Sequence, residues 1–188
     1  MRWLWLLVVV VVLAALYLWY ATIVARRNKV REALGSVDVH LAQRHDLIPN
    51  IVKLAARFME HERGLFEAVA RLREQVLQAP PGTEARFQLE NELGRQAGRL
   101  MVRLEAYPQL RSDATVVEAQ RTWTDVEGQL AAARRFYNAA VSDLANAAQI
   151  FPGSVLARLA SVTVPPFFEA APEQRVAPDV DAILAPRP

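Results

Sequence analysis

The chain has 188 residues, 22 Lys+Arg against 20 Asp+Glu, a pI near 9.3 and no cysteine. Disulfides and thiolate chemistry are therefore excluded. The basic excess would point to nucleic acid if it were spread over the chain, but it is not. Arg2, Arg26, Arg27, Lys29 and Arg31 sit in the first 31 residues without an acidic companion, which leaves 17 basic against 20 acidic residues in the remainder. Those cations flank an apolar run, where anionic headgroups are the natural counter-charge, and no nucleic-acid partner is expected. Only Lys29 and Lys53 are lysines, a bias that suggests a GC-rich bacterial genome.

From Trp3 to Ala25 no residue is charged. A bilayer-spanning helix needs ~20 apolar residues, so residues 1–25 read as a transmembrane anchor. Trp3 and Tyr20 would stand ~25 Å apart on a helix, matching two interfacial belts. A cleaved signal peptide fits poorly: the core is too long, bulky Trp19 and Tyr20 precede Ala21, and basic residues follow at once. The positive-inside rule puts everything beyond the anchor in the cytoplasm, at the inner membrane of a bacterial cell.

Residues 26–151 repeat apolar side chains at helical spacing, with little Gly or Pro. Val30, Leu34, Val37 and Leu41 are followed by Ile48, Ile51, Ala55 and Phe58, then by Leu65, Val69, Leu72 and Val76. Ala79-Pro80-Pro81-Gly82-Thr83 breaks the pattern, with Thr83 placed to cap the next helix. Phe87, Leu93, Ala97, Leu100, Leu104 and Tyr107 follow, and Pro108 ends that helix. The longest register runs through Val116, Gln120, Trp123, Glu127, Leu130, Arg134, Tyr137, Val141, Leu144, Ala148 and Phe151 in steps of four and three. The fold class is thus all-α, a transmembrane helix followed by an antiparallel up-and-down bundle. Arg44-His45-Asp46-Leu47-Ile48-Pro49 leaves two versions open. With Asp46 as a cap and Pro49 in a first turn, the chain reverses there and four helices result, the favoured version; a mere kink at Pro49 gives three. Residues 152–188 are rich in Pro and Ala and read as an extended or disordered tail. Phe167 and Phe168 either pack on the bundle or dock a partner.

Several of these segments together resemble the LemA family of bacterial membrane-anchored helical proteins. They are Val37-Asp38-Val39, Arg44-His45-Asp46-Leu47-Ile48-Pro49-Asn50-Ile51-Val52 with His61-Glu62, Glu105-Ala106-Tyr107-Pro108, Arg134-Arg135-Phe136-Tyr137-Asn138, and Phe151-Pro152 with Phe167-Phe168. The resemblance covers roughly residues 1–168. It implies a membrane helix and an up-and-down bundle, and it supplies no reaction. Where the family usually carries Gly-Phe between the Phe-Pro and Phe-Phe pairs, this chain has Ser161-Val162.

Candidate chemistry is sparse. His40 and His45 do not share a helix face, and His61-Glu62 lacks the second histidine of a zinc-protease motif because position 65 is Leu. Neither a metal, a cofactor nor an activated nucleophile is expected, and the protein reads as a non-enzyme. What stands out is polarity on the apolar seams: Glu62, Glu90, Gln120, Glu127 and Arg134. Glu127 and Arg134 lie ~10.5 Å apart and cannot pair, so each needs a partner on another helix. Arg134 is expected to meet Glu62 or Glu90. Such a layer serves as an ion network that fixes helix register, or as a small-ligand site. The function read from this is a membrane-anchored scaffold acting through protein contacts, including copies of itself. A sensor binding a small ligand in the polar layer is the alternative.

Overall fold

The computed structural model describes residues 2–107 and 113–169, and all regular structure among them is helical. Helix α1 runs Arg2–Ala55, a 3-10 turn covers Glu60–Glu62, and α2 (Arg63–Gln78), α3 (Glu84–Glu105), α4 (Ala114–Gln149) and the short α5 (Gly153–Leu159) follow. Pro108, expected to end α3, and residues 170–188 of the tail lie outside the described residues.

Helix α1 is 54 residues long, ~80 Å, and unbroken. Its first part is a bare apolar rod, with Leu4 to Leu13 all exposed and Tyr17 and Leu18 exposed as well. Ile23 is the first fully buried residue, and from there Val30, Ala33, Val37, Leu41, Ile48, Ile51 and Ala55 form a buried stripe at helical spacing. Neither a reversal nor a cap occurs at Asp46–Pro49, which corrects the place the favoured version gave the reversal: Asp46 is exposed in mid-helix and Pro49 lies inside it. A proline there deprives the His45 carbonyl of its intrahelical donor. That carbonyl instead accepts from Arg73 Nε on α2 at 3.2 Å. A remote side chain thus supplies the bond that Pro49 removes, and the helix continues.

The chain turns later, through Ala56–Glu62, with Met59 buried at the turn. Arg73 then lies level with His45, and Gly82 packs against Leu34. Gly82 takes φ +70°, as the Pro80-Pro81-Gly82 turn requires. Thr83 caps α3 as expected, accepting from the Arg86 N–H at 3.3 Å, and Asp113 caps α4 through the Thr115 and Val116 amides. Helix α2 packs chiefly on α3, and α1 chiefly on α4. Arg26 donates to the Asp143 carbonyl, Lys29 lies over the Phe136 ring, and Arg44 reaches Glu127, so numbering rises along α1 as it falls along α4.

The interior divides in two. Ile23 to Leu41 pack with Phe87, Leu130 to Ala147, Ala157 and Phe168 at the end nearer the apolar rod. Ile48 to Met59 pack with Val69, Val76, Leu93 to Leu104, Val116 and Trp123 at the far end. Between them lie Arg44 and His45 on α1, Glu90 on α3 and Glu127 on α4.

The tail's first part belongs to this interior. Helix α5 packs on α1 and α4, and Ala157 is in the core. Its end has Ser161 at φ +48°, with Val162 N–H donating to the Ala157 carbonyl and Ser161 N–H to the Arg158 carbonyl. That is a Schellman ending, normally completed by glycine in the left-handed position. Ser161 adopts the conformation instead, and Val162 packs on the core behind it.

Candidate functional site: a buried polar layer and the tail clamp

Glu90 is completely buried. Its Oε2 accepts from Arg44 Nη2 at 2.5 Å and from His45 Nε2 at 3.1 Å, so the imidazole hydrogen sits on Nε2. Arg44 Nη2 also donates to the Glu90 backbone carbonyl at 2.9 Å, and Nη1 donates to Glu127 Oε1 at 3.2 Å. Arg86 approaches from one turn earlier on α3, its Nε 3.6 Å from Glu90 Oε1. Those two atoms and Arg44 Nε are buried without a hydrogen bond among the described residues. Burial alone would raise the Glu90 pKa, but the His45 hydrogen bond and the Arg44 charge outweigh it and hold the carboxyl below its ordinary value. Asp38, half-buried on α1, is shifted the other way: burial raises it, with Arg86 opposing and Glu90 adding.

The five residues expected in the layer do not all reach it. Glu90 is at its centre and Glu127 at its rim, more than a third exposed. Glu62 sits near the far end of the bundle, paired to Arg103 at 2.7 Å. Gln120 is half-buried, and its carbonyl accepts from the Thr124 hydroxyl. Arg134 is half-buried with its guanidinium 5.5 Å over the Phe168 ring. Its expected contact with Glu62 or Glu90 is corrected: Glu90 is bound by Arg44, His45 and Arg86, and Glu62 by Arg103. The cause is a one-residue shift of the buried stripe on α4. Val116, Trp123, Leu130, Tyr137, Val141 and Leu144 are buried as expected, but in place of Glu127, Arg134 and Ala148 the stripe takes the preceding residues Val126, Ala133 and Ala147, and Ala140 joins beside Val141. Glu127 and Arg134 flank that stripe. Ala133, Ala140 and Ala147 share the core with α1, and the long polar side chains lie at its edge.

Arg44 and His45 were the layer residues that spacing had not singled out. Their signal was present: they fill the step between Leu41 and Ile48 on a seam otherwise apolar.

Phe168 is 2% exposed and stacks on Phe87 at 4.3 Å, which meets Tyr137 edge-on at 5.7 Å. Asn138 holds the Phe168 backbone from both sides, accepting its N–H at 2.8 Å and donating to its carbonyl at 3.0 Å. The Tyr137 hydroxyl, pushed up to about 12 by burial, donates to the Pro166 carbonyl at 2.8 Å. Asn91 donates to the Glu169 carbonyl at 2.9 Å. Phe167, its neighbour, is 43% exposed. Of the two phenylalanines considered for partner docking, one is thus a core residue of this chain.

Beside the layer, a cavity of about 260 Å³ is lined by Arg44, Gly94, Glu127, Leu130, Arg134 and Phe168 among others. Burial pulls the Arg134 pKa down, the Glu127 charge opposes this, and Arg44 and Arg135 add to it. A cavity with cations on two walls and a carboxylate on a third can hold a small polar molecule; it offers no nucleophile beside a base.

The segments that define this architecture are the ones that resemble LemA proteins. Arg44-His45 meets Glu90 in the layer, while Arg134, Tyr137 and Asn138 meet Phe168 in the clamp. The LemA family model matches residues 33–181, and the chain belongs to the LemA family. The match takes in the bundle and the clamped tail and begins beyond the apolar rod. No curated protein matches the chain at significant similarity.

Proposed function

We infer that this protein is a single-pass, membrane-anchored scaffold whose antiparallel four-helix bundle stands on the cytoplasmic face of a bacterial inner membrane. It works through contacts with membrane-associated proteins and with copies of itself, without catalysing a reaction or binding nucleic acid. One observation carries the reading. The exposed apolar rod and the bundle's first helix are the same unbroken α1, so no hinge separates anchor from domain. A rigid post of this kind fixes the height and tilt of the bundle relative to the bilayer. Arg26, Arg27, Lys29 and Arg31 beyond the apolar run support the cytoplasmic side. Protease added to sealed cells is expected to spare the bundle, and protease added to inverted vesicles to digest it; digestion in intact cells reverses the orientation. Crosslinking in intact membranes is expected to trap the chain with membrane proteins or with itself. A chain that remains uncrosslinked at every exposed helix face would remove the scaffold reading.

The cavity beside Arg134 favours a second reading, a sensor for a small anionic ligand. Its expected signature is a ligand from a panel of metabolite carboxylates and phosphates that raises the melting temperature of the wild type but not of Arg134→Met.

A further inference from the structure

The end of the bundle nearest the apolar rod carries a second apolar surface. Ile150 and Phe151, on the turn after α4, are 59% and 78% exposed, and Val155 and Leu159 on α5 are 51% and 79% exposed. Val155 and Leu159 are four apart and share a helix face, while Gly153 and Ala157 are buried on the opposite one. Phe151 ends the apolar register of α4 in sequence, yet the interior leaves it out.

The position of this surface along α1 is fixed by contacts. Gly153 is packed so tightly that a methyl group there would collide with the Ala147 carbonyl and lie 3.6 Å from the Trp19 ring. Ile23, Ala147 and Ala157 share one core. Helix α5 therefore sits at the height of Trp19 to Ile23, below Arg26, which reaches the Asp143 carbonyl. From Trp19 one face of α1 is covered by the bundle while Tyr20, Ala21 and Thr22 on its other faces stay exposed, so the stretch of the apolar run exposed all round is Trp3 to Leu18. Those sixteen residues cover ~24 Å, whereas the hydrocarbon core is ~30 Å thick. A helix with one face covered by protein from residue 19 onward offers lipid a stretch exposed all round that is too short to span by itself. The shortfall of ~6 Å lies within the ~5–10 Å to which interfacial helices sink. The exposed apolar residues occur at that depth. Arg158 is exposed beside Leu159, and Arg27 lies ~12 Å above Trp19, both able to reach lipid phosphates.

We propose that Ile150, Phe151, Val155 and Leu159 form a foot that embeds in the bilayer interface beside the anchor, its ligand being the lipid surface itself. The foot rests on the reading of α1 as the anchor and adds a second attachment to it. Two attachment points, unlike one, stop the bundle from rotating about the α1 axis and present a fixed face to partners.

The absence of cysteine allows a direct test. Single cysteines at Phe151, Val155 and Leu159, with Val8 and Val102 as references, are spin-labelled in the full chain in phosphatidylethanolamine–phosphatidylglycerol nanodiscs. All five sites are exposed, so the labels do not disturb packing. Collision with oxygen, which concentrates in lipid, is compared with collision with a water-soluble nickel chelate. The expected oxygen-to-nickel ratio at the three foot sites is severalfold above that at Val102 and below that at Val8. Foot sites equal to Val102 while Val8 remains lipid-like would overturn the foot and leave the anchor standing. A water-like Val8 would overturn the anchor reading, and the foot with it. Foot sites shielded from both reagents would show a protein contact in place of lipid and would also overturn the proposal.

Discussion

At the scale of single residues, Arg44 decides the bundle's interior. It joins α1 to a fully buried carboxylate on α3 and to Glu127 on α4. Its guanidinium needs room, and Gly94 provides it: a methyl group at that position would sit 2.8 Å from Arg44 Nη1. Gly94→Ala is therefore expected to destabilise the chain by ~1–3 kcal/mol, because the displaced guanidinium is held by its bonds to Glu90 and Glu127. Gly98, one turn later on the same helix, faces open space. Gly98→Ala is expected to stabilise by ~0.5–1 kcal/mol from helix propensity alone. Urea unfolding of both variants checks the pair, and equal effects would contradict the crowding at Arg44.

Glu90 also sets an acid limit. Its carboxyl is held below the ordinary 4.5, so the folded state binds the proton more weakly than the unfolded state does. The stabilisation is complete above pH ~4.5 and is lost as pH falls through the lowered value. Melting temperature is expected to fall below pH ~4.5 in the wild type, with a shallower fall in Glu90→Gln. Parallel curves would show that another group controls the acid transition.

At the scale of elements, the tail clamp and the end of α5 carry the least obvious energetics. Ser161 holds a left-handed conformation that costs a side-chain-bearing residue ~1–2 kcal/mol. Glycine removes that cost while adding some freedom to the unfolded chain, so Ser161→Gly is expected to raise stability by ~0.5–1 kcal/mol. Thermal unfolding tests it, and a loss of stability would mean that the Ser161 hydroxyl contributes more than the strain costs. Helix α1 shows how an element can override its own sequence. Pro49 is a breaker by composition, and its effect is cancelled by Arg73 from another helix. No window of α1 alone contains that information.

At the scale of the whole molecule, the apolar rod and the bundle overlap. Ile23 is fully buried in the core near the rod, although a division at residue 25 assigns it to the anchor. A fragment starting at Trp19 is expected to be more stable than one starting at Arg26 by ~1.5–3 kcal/mol, the value of one buried isoleucine. Equal stabilities would place the true boundary beyond Arg26. The overlap also explains why α5 and the clamped segment to Glu169 matter: they close the core around the point where α1 leaves it.

Local pattern alone determined the apolar rod, the all-helical class, the Pro80–Thr83 break and the seam position of Glu90. Each depends on residues within a turn or two of one another, so helical periodicity and capping chemistry suffice to read them. Tertiary structure alone decided that Pro49 is tolerated, that Arg44 and not Arg134 binds Glu90, and that Phe168 is core while Phe151 is surface. Those outcomes depend on the rotation of each helix about its axis and on which remote side chain reaches a given carbonyl or ring. A step of three and a step of four both keep a residue near the seam, and only the neighbouring helix selects Ala133 for the interior and leaves Arg134 at its edge.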